Sequence, residues 1–105
     1  MMKGFLISFE GTDGCGKSTQ IRLLAEKLKK EGRDVLVSRE PGGCRIGEKI
    51  REILLDAENR ELSPVCELLL YEAARAQHMQ QIILPALDKG TIVILDRFID
   101  STYAY

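Results

Sequence analysis

The sequence predicts an α/β fold, a parallel sheet with flanking helices. Short apolar runs of the kind buried on both faces recur along the chain; segments with apolar residues at helical spacing stand between them; and glycine or proline separates several of them. Gly4 to Phe9 (GFLISF) is the first run, ended by Glu10 and Gly11. From Ser18 onward, Ile21, Leu24, Ala25 and Leu28 recur at helical spacing, and Gly32 stands just past a lysine-rich end, where a helix C-cap belongs. Val35 to Ser38 predicts a second strand. Pro41, Gly42 and Gly43 then interrupt regular structure before Ile46, Ile50, Ile53 and Leu54 mark another amphipathic helix. Ser63 followed by Pro64 reads as a helix start, because the hydroxyl can cap free N–H groups while proline fits the first turn. That helix is expected to reach about Leu84, with Pro85 kinking or ending it. Thr91 to Leu95 (TIVIL) predicts a third buried strand, closed by the charged pair Asp96 and Arg97.

The 105 residues hold no linker, low-complexity tract or internal repeat, so residues 1–105 are expected to form one continuous piece of a doubly wound sheet. Only three strands fit, with nothing to cover one side of the sheet, so the chain reads as a single partial domain, the front half of something larger. Fifteen Lys and Arg against sixteen Asp and Glu give a net charge of −1, which excludes the basic excess of a protein held on nucleic acid. The apolar run Phe5 to Phe9 is too short for a signal-peptide core or a membrane span, so a soluble, cytoplasmic protein is expected. Cys15, Cys44 and Cys66 form no CxxC pair, and the single histidine, His78, stands apart from them. Reduced thiols and no metal-binding cysteine follow.

Gly11, Thr12, Asp13, Gly14, Cys15, Gly16, Lys17 and Ser18 match the spacing GxxxxGK(S/T) between a predicted strand and a predicted helix. Glycines let successive backbone N–H groups turn inward around a phosphate, the helix N-terminus adds partial positive charge, and Lys17 supplies a mobile ammonium. With Thr19 next to it, this segment is the expected ATP phosphate-binding loop. Ser18 offers a hydroxyl to Mg²⁺, and Asp96, at a strand tip beside such a loop, offers a carboxylate to the same ion.

Arg39-Glu40-Pro41-Gly42-Gly43 (REPGG) follows the second strand, so it lies at the sheet edge where open α/β sheets bind ligands. Tyr71 and Arg75 are four apart on the long helix and share a face, so a base could stack on one and hydrogen-bond the other. A core tyrosine and a solvated arginine would give the same pattern. The ordered set FEGTDGCGKST, REPGG, LLYEAARAQH and DRFIDSTYAY resembles the bacterial thymidylate kinases along essentially the whole chain. The resemblance implies the nucleoside monophosphate kinase version of the P-loop fold and Mg²⁺-dependent transfer of the γ-phosphoryl of ATP to dTMP. It implies further that Asp13 touches the acceptor 3′-hydroxyl, that Arg51 and Arg97 grip the dTMP phosphate, and that Tyr71 stacks on thymine while Arg75 bonds its edge. Thr102 then sits near the base and Tyr105 beside the deoxyribose. Lys17, Arg97 and Asp13 are the expected catalytic residues.

An acceptor phosphate is already an anion at neutral pH, so the reaction needs cations and alignment rather than a general base. His78 accordingly reads as a polar residue on a helix flank, without a catalytic role. Family members continue for about as many residues again, carrying a lid arginine and the adenine pocket. The 105-residue chain alone is therefore expected to have little kinase activity and, with an exposed sheet edge, to form a homodimer or larger association. A P-loop kinase for another deoxynucleotide or deoxynucleoside, and a non-catalytic nucleotide-binding fragment, are the competing readings.

Overall fold

A computed structural model describes residues 4–11 and 16–98, the side chain of residue 98 excepted. Strands β1 (Leu6–Gly11), β2 (Val35–Glu40) and β3 (Ile92–Phe98) form one parallel sheet in the order β1-β3-β2. Helix α1 (Lys17–Lys30) follows β1, α2 (Arg45–Leu55) follows β2, and α3 (Pro64–His78) leads through a five-residue π turn, Met79–Ile83, into the short α4 (Leu84–Asp88).

The central strand carries the core. Along β3 side chains alternate between faces, so Ile92 and Ile94 pack with Ile21 and Ala25 of α1, while Val93 and Leu95 pack with Ile83 of the π turn. Ile83, Ile92, Ile94 and Val93 are fully buried, and burying each such side chain stabilises the fold by about 1.5–3 kcal/mol. Ile7, Phe9 and Val35 extend the α1 side, and Leu36, Met79, Ala86 and Leu87 the other. Among the described residues, no helix is long and apolar enough to cross a membrane.

The element boundaries depart from the sequence expectation at two informative places. Asp96 and Arg97, expected to follow the third strand, lie within it: Asp96 is in register with Phe9 and Arg39, and Arg97 with Glu10 and Glu40. Pro85 does not end the helix, because it falls in the first turn of α4, where its missing N–H is not needed, and the wider π turn comes before it. The caps are as expected. Ser63 Oγ accepts from the Cys66 N–H at 3.1 Å, and Gly32, with φ +84°, follows the C-cap residue Glu31.

Candidate active site

The carboxyl ends of the three strands place two chemistries on opposite faces. Because β3 alternates, Asp96 points to the α1 side, beyond Ile94, and Arg97 to the α3 side, beyond Leu95.

On the α1 side, Lys17 opens the helix and is only 6% exposed. Its ammonium donates to the carbonyls of Gly11 (2.9 Å) and Arg97 (3.2 Å) and pairs with Asp96 Oδ1 at 2.6 Å. The lysine thus ties β1, α1 and β3 together at their tips. Gly16 is the N-cap of α1, with no side-chain cap and no acidic residue in the first turn, so the positive end of the helix dipole meets no carboxylate from its own first turn. Ser18 and Thr19 are exposed beside it. Ser18 and Asp96 share the lining of a groove of about 460 Å³ between α1 and β2. Thr12, Asp13, Gly14 and Cys15 lie outside the described residues.

On the α3 side the register sets Glu10, Arg97 and Glu40 in one row across the sheet. Arg97 spans it: Nη1 donates to Glu10 Oε1 at 2.8 Å and Nε faces Glu40 Oε1 at 3.3 Å. Arg75 approaches the same Oε1, with Nε at 3.8 Å. Glu40 is 8% exposed, so one nearly buried carboxylate oxygen gathers two of the predicted acceptor arginines. Together with Ser8, Met79 and Leu95 these three residues line a cleft of about 210 Å³. Arg51 reaches the neighbouring loop and donates from Nη1 to the Pro41 carbonyl at 2.8 Å. Tyr71 is half-buried on α3, one turn before Arg75. Thr102 and Tyr105 lie outside the described residues.

The REPGG loop is braced from α2. Glu48 accepts from Arg39, through Nε at 3.2 Å and through Nη2, and from the Gly43 N–H at 2.8 Å. The Arg39 guanidinium, assisted by that N–H and by the charge of Arg51, holds the Glu48 carboxyl below its usual range although burial opposes the shift; the same hydrogen bond raises Arg39.

His78 departs most clearly from expectation. It is fully buried, not a helix-flank residue. Nε2 lies 2.8 Å from Ser38 Oγ and Nδ1 lies 3.3 Å from Glu40 Oε2. Spacing along α3 alone gave no sign of this, since both partners come from β2. The period-2 pair Ser38 and Glu40, three polar atoms on the strand face opposite the only histidine, was the signal available. Glu10, Glu40 and Glu48 were likewise not expected as counter-ions. Of the predicted cysteines within the described residues, Cys44 is buried, Cys66 is exposed, and both are free.

A family model described as thymidylate kinase matches residues 9–105. The chain is 65% identical to the thymidylate kinase of Caldanaerobacter subterraneus subsp. tengcongensis, over 99% of this chain and 50% of that protein. It is 58% identical to that of Citrifermentans bemidjiense, over 97% of this chain and 45% of the other. The crystal structure of thymidylate kinase from Ehrlichia chaffeensis superposes with a TM-score of 0.80 at 47% identity, covering 97% of this chain and 58% of that one. The chain spans about half the length of the curated relatives it matches.

Proposed function

The chain belongs to the thymidylate kinase family, and from that premise we propose that it carries the donor-phosphate and acceptor-nucleotide portions of a magnesium-dependent dTMP kinase. In the proposed reaction the γ-phosphoryl of ATP passes to dTMP, giving ADP and dTDP. The bond from the γ-phosphorus to its bridging oxygen breaks, and a bond to an oxygen of the acceptor phosphate forms. That oxygen is already anionic, so the protein's task is to bring two polyanions together.

The division of the β3 tip carries this reading. Asp96 beside the N-terminus of α1 and Arg97 beside α3 are adjacent in sequence yet face opposite sides of the sheet, so donor and acceptor machinery meet at one peptide. On the donor side Lys17, the α1 N-terminus and the loop from Gly11 to Thr19 take the phosphates. Ser18 and Asp96 are hard oxygen donors, exposed and 35% exposed respectively, and fit Mg²⁺, which when bound neutralises phosphate charge. On the acceptor side Arg97 and Arg51 take the dTMP phosphate, Tyr71 stacks on the base and Arg75 bonds its edge. Asp13, Thr102 and Tyr105 complete the proposal with the sugar and base contacts implied by the family motif. A cytoplasmic setting belongs to the same proposal, as does self-association, which the exposed Val65, Leu68 and Leu69 of α3 support.

Calorimetric titration of the folded chain with dTMP, dUMP, dGMP and thymidine tests the reading. Binding of dTMP ahead of dUMP and dGMP is the expected result. Tighter binding of thymidine than of dTMP overturns it, since the arginines would then have no phosphate to hold.

A further inference from the structure

We propose that His78 is a positioning residue for the acceptor site, acting through Glu40 to set Arg75 and Arg97; the inference rests on the dTMP reading of that site. The geometry divides the Glu40 carboxylate between two tasks. Oε1 faces both arginines, Arg97 Nε at 3.3 Å and Arg75 Nε at 3.8 Å, while Oε2 faces His78 Nδ1 at 3.3 Å. An ionised carboxylate only accepts hydrogen bonds, so Nδ1 carries a hydrogen and donates to it. In the neutral ring Nε2 is then an acceptor and receives the Ser38 hydroxyl hydrogen, at 2.8 Å.

A carboxylate held only by Oε1 is free to turn about its last torsion, and the two arginines it gathers would turn with it. The donor on Oε2 stops that rotation. His78 can do so because it cannot move: its ring is fully buried, anchored at both nitrogens, and covered by Gly43, where a Cβ would sit 2.6 Å from ring Cδ2. The proposed phosphoryl transfer asks no proton of this histidine, so its place in the site lies in geometry rather than in acid–base chemistry. It touches no substrate and acts wholly through Glu40.

Two substitutions separate positioning from scaffolding. Asparagine at residue 78 reproduces the Nδ1 donor and glutamine the Nε2 position, and because asparagine is the shorter and leaves the larger void, a purely structural role would make His78→Asn the more damaging of the two. We expect His78→Gln to weaken dTMP binding about tenfold and His78→Asn to leave it within about threefold, with ATP binding unchanged in both, because Lys17 lies on the other face of the sheet. Equal effects of His78→Gln and His78→Asn, tracking their loss of thermal stability, overturn the proposal, as does an unchanged affinity in His78→Gln. A second readout stands apart from ligand: the order of the Arg97 guanidinium by NMR relaxation at Nε, expected to be high in the parent and His78→Asn and clearly lower in His78→Gln, since Nε is held 3.3 Å from Glu40 Oε1. Should the parent chain bind no dTMP, the proposed function fails, and this side-chain order alone decides the positioning role; equal order in all three proteins overturns it.

Discussion

Replacing Gly43 by alanine puts a methyl group against the face of His78. The new Cβ would lie 2.6 Å from Cδ2 and 2.7 Å from Cε1, and closer still to Nε2. Contacts of that length force something to shift, and the ring, fully buried and hydrogen-bonded at both ends, has nowhere to go. Overpacking of this kind costs about 1–3 kcal/mol. Gly43 also has φ +86°, where an L-residue loses about 1–2 kcal/mol. The expected destabilisation is therefore about 2–5 kcal/mol. Gly32 supplies the control: its φ is +84° and no atom lies within 4 Å of its ideal Cβ, so Gly32→Ala carries the backbone cost alone. Urea unfolding followed by circular dichroism measures both, and Gly43→Ala should exceed Gly32→Ala by about 1–3 kcal/mol. With His78→Ala as background the ring is gone, and the cost of Gly43→Ala should fall to that of Gly32→Ala. Equal costs of the two glycine substitutions in the parent background would refute the claim that the REPGG loop rests on this histidine.

Glu48→Gln tests the brace on the same loop. The folded carboxyl is held below its ordinary value of about 4.5, so the unfolded chain takes up the proton first as pH falls. The pair's contribution is thus present above about pH 4.5 and lost as pH drops through the folded value; because the Glu48 side chain is 37% exposed, it amounts to about 0.5–1 kcal/mol at neutral pH. Glu48→Gln should lower stability by that amount at pH 7 and remove that part of the acid dependence, as read from urea midpoints between pH 7 and pH 3; an unaltered acid profile counts against the pairing. Asp96→Asn removes the negative charge facing the Lys17 ammonium, 6% exposed, and leaves it neutral oxygen acceptors only. A loss of about 1–3 kcal/mol is expected, below that of a fully buried pair because Asp96 is partly solvated, and no loss in urea unfolding would contradict the ion pair's role. Ser63→Ala removes the acceptor for the Cys66 N–H at the start of α3 and should cost about 1 kcal/mol with an unchanged denaturant slope.

Local signals made the fold legible. The apolar runs GFLISF and TIVIL located two strands, and the alternation of Ile92, Val93, Ile94 and Leu95 explains why a continuous apolar run was needed: both faces of β3 are covered. Ser63-Pro64 and Gly32 fixed helix ends because caps are encoded within a few residues. Strand ends were less legible. Asp96 and Arg97 read as closing residues on polarity, yet remain in the ladder because both neighbouring strands run on beside them, with Phe9 and Arg39 opposite Asp96 and Glu10 and Glu40 opposite Arg97. In the candidate site Lys17 was found from motif spacing, Asp96 from its place at a strand tip and Arg75 from its spacing to Tyr71, whereas Arg97 came from the family resemblance; the structure brings Arg75 and Arg97 to a single carboxylate. That carboxylate, and the histidine behind it, were not visible, because residues 38 or 40 apart in sequence meet only once β2 has paired with β3 and α3 has docked.

The π turn between α3 and α4 has a consequence for phase. His78 and Ile83 both bury against the same side of the sheet, one at its polar tip and the other against Val93 and Leu95. In a regular α-helix residues five apart point about 140° away from each other, so one of the two would face solvent. A turn closed from i to i+5 brings them nearly into line. The surplus residue is therefore absorbed within the turn, and a single helical rod serves a hydrogen-bonding station and a hydrocarbon station in succession; winding the same residues into a regular α-helix would put the two out of step.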